Sequence, residues 1–433
     1  MVGVETGRPR SRRAPGASRK NGDDVTPRSI LISGGSIAGP ALAVWLEAAG
    51  WRTTVVERFA EQRDTGQNID IRGAAREVVR RMGLEDAVKA ATTGERGTEF
   101  VDARGRALAS FPAGTSDGDG ATAEVEILRG DLSRLLVERS RPGTEYVFGD
   151  QITGLEERAD GVEVTFRDGP TRTVDVVVIA EGVTSRTRAL VLPDADVREL
   201  GLYTAYLTIP RTPADTDLWR WYNAPGGRSV TLRPDNVGTI RAAVSFRSDV
   251  RGLADIGPEA QVRVLRRTFD DAGWETPRIL DALDGGAPFY LDSLAQVRLP
   301  AWSRGRVAVV GDAAYCASPV SGMSTSLALV GAYVLAGELA AHDDHRAAFA
   351  AYEERMRPYV DDAQDLPPGV PWIAHPRTRP GVAALRTAIR VVGSRPARRV
   401  GQAVGAVAGL FSGSSSELVD LSGYPSIAAS TAL

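Results

Sequence analysis

Ser29-Ile-Leu-Ile-Ser-Gly-Gly-Ser-Ile-Ala-Gly39, running on to Val55-Val-Glu-Arg58, decides the fold. It reads strand, tight turn, helix, strand. Gly34 permits the turn at the strand end, and Gly39 lets the helix pack closely on the strand. The middle position of the turn is Ser36 instead of the glycine that gives a pyrophosphate its closest approach. A small side chain still fits there, and its hydroxyl can donate to a phosphate oxygen. The helix opening at Ile37 and Ala38 presents N–H groups and a positive dipole end to phosphate. Glu57 lies about 20 residues on, where an acid accepts ribose hydroxyls, and Arg58 follows it.

A second signal stands far downstream. Arg306-Val-Ala-Val-Val-Gly-Asp-Ala-Ala314 contains a continuously apolar run, as a strand buried on both faces should. It ends in Gly311-Asp312, then comes Ser318-Pro319-Val-Ser-Gly322-Met323-Ser324 and an apolar helix. Asp312 suits the hydroxyls of a polyol chain; the alternative is a polar strand end that caps the next helix. The helix opened by Gly322-Met323-Ser324 favours negative charge on a reduced flavin at its N-terminus. One Gly-rich turn is a weak signal. Two, the second with an acid at the strand end, indicate one dinucleotide held at both ends, and FAD instead of a dissociable nicotinamide. A third apolar run, Val176–Ile179, ends at Glu181-Gly182, with Ser185 and Arg186 beyond. Arg129, between a strand at Glu124–Leu128 and a helix Asp131–Arg139 capped by Asp131, reads equally as a flavin or phosphate contact and as a surface salt bridge.

Composition excludes several classes. The chain has 433 residues, 43% hydrophobic and 25% charged, with formal net charge −3, so nucleic acid is not an expected partner. Cys316 is the only cysteine, which rules out an internal disulfide and points to a reducing, cytoplasmic setting. The longest apolar stretch, Ser326–Gly337, is shorter than the about 20 residues of a spanning helix. Residues 1–27 are basic with no apolar run, unlike a secretory signal, and read as a disordered tail. A monomer or weak homodimer acting on a small molecule is expected.

The periodicity gives an α/β fold: a Rossmann-like FAD-binding domain with a strand-rich substrate domain inserted and a C-terminal helical segment. FAD-binding parts are expected at 28–95, 124–198 and 297–352, substrate-domain parts at 96–123 and 199–296, and the helical region at 353–433. Arg76–Leu84 reads as a helix and Thr98–Phe111 as a hairpin around Arg104-Gly105. Ser116–Gly120 reads as an exposed loop. The substrate region gathers aromatics, among them Tyr206, Trp219, Trp221, Phe246, Phe289 and Tyr290, which either line a pocket, with Arg72, for a large flat polycyclic or aromatic ligand or fill a core. The three histidines, His342, His345 and His375, all follow the Gly-Asp helix and are not expected to act as general bases.

Together these residues resemble the flavoprotein aromatic hydroxylases, the FAD-dependent monooxygenases of the p-hydroxybenzoate hydroxylase fold. The likeness is to the tetracycline-inactivating and polyketide-tailoring branch. The Gly34–Gly39 turn with Glu57-Arg58 is similar to the FAD nucleotide site. Ala180-Glu-Gly182 is similar to a motif implicated in both FAD and nicotinamide binding. Gly311-Asp-Ala-Ala314 with Pro319 and Gly322 is similar to the motif on the ribityl chain. Glu126-Ile-Leu-Arg129 is similar to the segment whose arginine contacts the flavin, and Gln67 to Arg72, including Asp70, to the segment beside the isoalloxazine. The resemblance implies FAD as cofactor and NAD(P)H as cosubstrate. It also implies hydroxylation of an electron-rich aromatic or polyketide-like natural product of secondary metabolism, such as antibiotic biosynthesis, through a flavin C4a-hydroperoxide. A flavin-dependent halogenase would need a catalytic lysine, and the only lysines, Lys20 and Lys89, are not placed for it. Ser36, Glu181 and Ser324 depart from the family's Gly, Asp and Gly. Ser324 and Glu181 keep a second reading open, a non-redox cyclase that retains FAD as structure. The hydroxylase reading expects Ser324 to take an ordinary negative φ.

Overall fold

The computed structural model describes residues 27–63, 66–113, 125–366, 369–370, 372–394, 419–424 and 426–427. The basic tail, the Ser116–Gly120 loop, Glu124 and Pro367, Pro368 and Pro371 lie outside the described residues.

The apolar runs form the centre of one sheet. Its order is Ser303–Arg304, Val307–Val309, Val176–Ile179, Ser29–Ser33, Arg52–Glu57 and Thr144–Phe148. All neighbours are parallel except the first pair. Helices cover it, so the inner strands carry side chains without polar alternation. Ser29–Ser33 pairs with Arg52–Glu57 on one side and Val176–Ile179 on the other. The chain leaves it in both directions, which makes its C-terminal end a switch point where ligands bind in open α/β sheets.

The two glycines of the opening turn are fixed by close approach. Gly34 has φ +116°, and a Cβ there would stand 2.4 Å from the Ala180 carbonyl oxygen. A Cβ on Gly39 would stand 1.9 Å from the Gly34 carbonyl oxygen. The helix Ala38–Ala48 therefore starts directly over the ends of two strands. Against it packs Ser324–Ala341, apolar on all sides and almost wholly enclosed by protein. Trp45 meets Tyr333 across this contact, with ring centroids 4.5 Å apart.

A second sheet of seven strands runs Phe289–Arg298, Asp196–Pro210, Thr239–Arg247, Arg228–Pro234, Trp219–Ala224, Gly97–Val101 and Ala107–Pro112. Only Gly97–Val101 with Trp219–Ala224 is parallel among its pairs. One face, with Ile240, Ala242, Val244 and Phe246, packs on helices Pro258–Phe269 and Thr276–Asp284. The expected hairpin around Gly105 forms its edge. The helix expected at Arg76–Leu84 is found at Ala74–Arg81, beginning two residues and ending three residues earlier. One cap differs: the helix expected from Asp131 begins at Arg129, so Asp131 sits in its first turn and Leu128 holds the cap position. That acid still favours the helix dipole.

Gly39→Ala is expected to force the helix off the strand and to lower stability by about 1–3 kcal/mol, the range for an overpacked core. Chemical denaturation checks this; an unchanged midpoint would contradict the contact.

Candidate active site

A cavity of about 930 Å³ lies between the two sheets. On the parallel-sheet side Ser36, Ile37 and Ala38 reach it from the first turn. From the loop after Val307–Val309 come Asp312, Pro319, Gly322 and Ser324. Gln67, Asp70 and Arg129 close this side through the two-stranded pair Asn68–Asp70 and Glu126–Leu128. Residues far apart in sequence thus meet at one end of one cavity. Gly34, Glu57 and Arg58 line a separate small cleft, of about 40 Å³, on the other side of the turn.

Arg129 Nη1 donates to Ser36 Oγ at 3.0 Å, which favours a buried site residue over a surface salt bridge. Burial, followed by the nearby Arg63, pulls its guanidinium below the ordinary arginine range. The Glu57 carboxylate accepts from Gly35 N at 2.8 Å and Phe59 N at 3.1 Å, holding the turn and the second strand end together. Burial pushes the Asp312 carboxyl up, partly offset by hydrogen bonding from Cys316 and Ser324. A carboxyl kept at that strand end accepts from hydroxyl donors, as a polyol requires.

Several expected residues play other parts. Gly39 is set by packing: a Cβ there would meet the Gly34 carbonyl and the Ile32 side chain. Met323 is buried behind the loop, and its N–H donates to Ser321 Oγ at 3.1 Å. The Gly322 N–H donates to the Pro319 carbonyl at 3.2 Å. The loop's own N–H groups are thus taken up within its turn, and Ser324 and Thr325, in the first turn of the long helix, face the cavity instead. First-turn N–H groups have no intrahelical acceptor. Ser324 is not among the positive-φ residues; Ser318, φ +76°, and Gly322, φ +67°, carry that conformation. Arg72 does not reach the cavity. It pairs with Asp70 at 2.8 Å, and its N–H donates to Ser326 Oγ at 3.0 Å, so it ties the flanking segment to the long helix. Glu181 accepts from Ser33 Oγ, from Ser185 Oγ at 2.8 Å, and from Thr187 N and Oγ1. It ties two strand ends to the following helix.

The opposite wall is one face of the seven-stranded sheet. Tyr206, Trp219, Trp221 and Phe289 line it. Phe246 does not: it is in the opposite phase of its strand and stacks on Tyr203 in the core, 5.6 Å between centroids. Sequence reading missed Arg233 and Arg241 here; Tyr290, one of the gathered aromatics, also lines the wall. The alternation of Thr239, Arg241, Ala243 and Ser245 with the buried Ile240, Ala242, Val244 and Phe246 was the available signal. His375 was also missed; it lines the cavity, and its Nε2 and Ser229 Oγ are 3.0 Å apart.

The residues present fit FAD: turns with no room for a Cβ, a helix N-terminus, a buried guanidinium and carboxylates at both ends. Comparison with known proteins agrees. Residues 28–366 match the family model described as FAD binding domain. The FAD-dependent monooxygenase asL4 of Sarocladium schorii is 36% identical over 365 residues, covering 78% of this chain and 85% of that protein. A flavin-dependent monooxygenase of Legionella longbeachae is 38% identical over 341 residues, covering 77% and 86%. The crystal structure of tetracycline destructase Tet(55) superposes with TM-score 0.72 at 35% identity, covering 86% of this chain and 97% of that one.

Asp312→Ala is expected to weaken FAD retention about tenfold or more, far beyond His342→Ala or His345→Ala. Flavin content after gel filtration checks this; equal content in all variants would contradict the role of Asp312.

Proposed function

This chain belongs to the FAD-binding family of flavin-dependent monooxygenases, and we propose that it is the NAD(P)H-driven hydroxylase of an electron-rich aromatic or polyketide-like natural product. The observation that carries this is the cavity, with the cofactor motifs on one wall and an aromatic, hydroxyl-bearing sheet face on the other. The overall reaction balances as substrate, O2, NAD(P)H and a proton giving hydroxylated substrate, NAD(P)+ and water. Bound FAD supplies the redox chemistry that passes electrons from the nicotinamide to oxygen and one oxygen atom to the substrate.

The chain's own residues position and shield. Ser36, Arg129 and Asp312 hold the cofactor side. The first turn of the long helix places its positive dipole end at the cavity, which favours developing negative charge there. Tyr206 stacks on Tyr290 with centroids 5.0 Å apart, and this pair, with Phe289, forms an apolar shoulder that limits water beside the reacting face. Burial pushes the Tyr206 phenol up, so it stays protonated at neutral pH and can donate a hydrogen bond.

The helical backbone at Ser324 favours the hydroxylase over the cyclase, because serine there needs no left-handed conformation. Ser324→Gly is accordingly expected to leave turnover within a few-fold. Steady-state oxidation of NADH and NADPH, with and without a polycyclic phenol, is the test. Substrate-stimulated oxidation with oxygen uptake is expected; no reduction by either nicotinamide would shift the assignment to the cyclase.

A further inference from the structure

The wall facing the cofactor motifs contains two arginines, and neither has its charge available. Arg233 is held by three acids. Its Nε lies 2.8 Å from Glu95, its Nη2 bonds Glu126, and Asp70 stands 3.8 Å away. Its guanidinium lies over the Trp219 ring, 4.3 Å from the centroid. Arg241 Nε pairs with Asp235 at 3.0 Å, and its Nη1 donates to Thr208 Oγ1 at 2.6 Å. The other arginines of the cavity, Arg63 and Arg129, neighbour each other on the side of Ser36.

The balance of the Arg233 cluster is close. Burial, ahead of the attraction of Arg233, pushes the Glu95 carboxyl well above its usual range. Two guanidiniums, of Arg72 and Arg233, thus face three acids, Asp70, Glu95 and Glu126, and no positive charge is left over. An anionic ligand would meet guanidiniums already satisfied and carboxylates that repel it, in a setting that screens little.

What the wall does offer is uncharged. The rings of Trp219 and Trp221 line it, 5.1 Å between centroids. Thr204 and Ser245, whose hydroxyls are 2.9 Å apart, and Thr231 face the same space.

We infer that the substrate face of this cavity recognises an uncharged, hydroxyl- or carbonyl-bearing ring system and discriminates against carboxylates, because both arginines on that face are neutralised by acids of the protein. This rests on the reading of the cavity as the monooxygenase's substrate site and adds the charge class of the ligand.

The test uses the FAD-loaded enzyme at pH above the ligand carboxyl pKa. Two matched pairs are titrated by flavin fluorescence. One is a dihydroxyanthraquinone bearing a hydroxymethyl group and the same ring bearing a carboxylate. The other is a simple hydroxybenzyl alcohol and its hydroxybenzoate. In whichever scaffold binds, the uncharged member is expected to bind at least about tenfold tighter. Glu126→Gln, which removes a counter-charge from Arg233, is expected to narrow that ratio several-fold while changing the uncharged ligand's affinity little. Asp235→Asn, acting on Arg241, is the second variant should the first fail to hold FAD. Carboxylates binding as tightly as their uncharged partners to wild type would overturn the inference, as would a ratio that neither variant moves. Binding of the small pair alone would overturn the polycyclic reading and leave the charge ratio to decide the inference. No binding by any of the four would overturn both.

Discussion

The structure depends on a lack of space at one turn. A Cβ on Gly39 would lie 1.9 Å from the Gly34 carbonyl oxygen, and one on Gly34 would lie 2.4 Å from that of Ala180. With no side chain at either position, helix Ala38–Ala48 begins over the ends of the strands Ser29–Ser33 and Val176–Ile179. A Cβ on Gly311 would stand 2.8 Å from the Ala38 Cβ, so the third motif closes against the same helix start. Three sequence segments converge because Gly34, Gly39 and Gly311 lack side chains where neighbouring backbone or Ala38 needs the room. Ser36 and Asp312 are thereby brought to one cavity, and Glu57 to the small cleft on the other side of the turn.

The opposite wall is built on another principle. Strand Thr239–Arg247 alternates strictly between a face buried on helices and a face turned to the cavity. Its polar phase, with that of its neighbours, gives the cavity a hydroxyl-bearing floor. Charges that enter the floor do so paired, as Arg233 and Arg241 show. An unpaired buried charge is costly, which is why both guanidiniums are met by acids of the protein.

This difference explains what could be read from the sequence. The cofactor side was legible because its chemistry lies in backbone turns and strand ends, which are local. Ser36, Arg129 and Asp312 line one cavity. The substrate side was legible only in part. Aromatic content drew attention to Trp219 and Trp221, which do face the cavity, and to Phe246, which does not. Strand phase would have separated them, since Phe246 follows Ile240, Ala242 and Val244. Arg72 is held by Asp70, two residues away, and by Ser326, far along the chain, and nothing local reveals the second contact. His375 lies 146 residues beyond its partner Ser229, and no periodicity signals such a contact.

The central claim is that one FAD is held by elements from both ends of the fold. Flavin analysis of the purified protein tests it most directly. The account predicts a yellow protein whose denatured supernatant contains FAD and not FMN, released without proteolysis and close to one per chain. A colourless protein that cannot be reconstituted with FAD, or one that carries FMN, would contradict it.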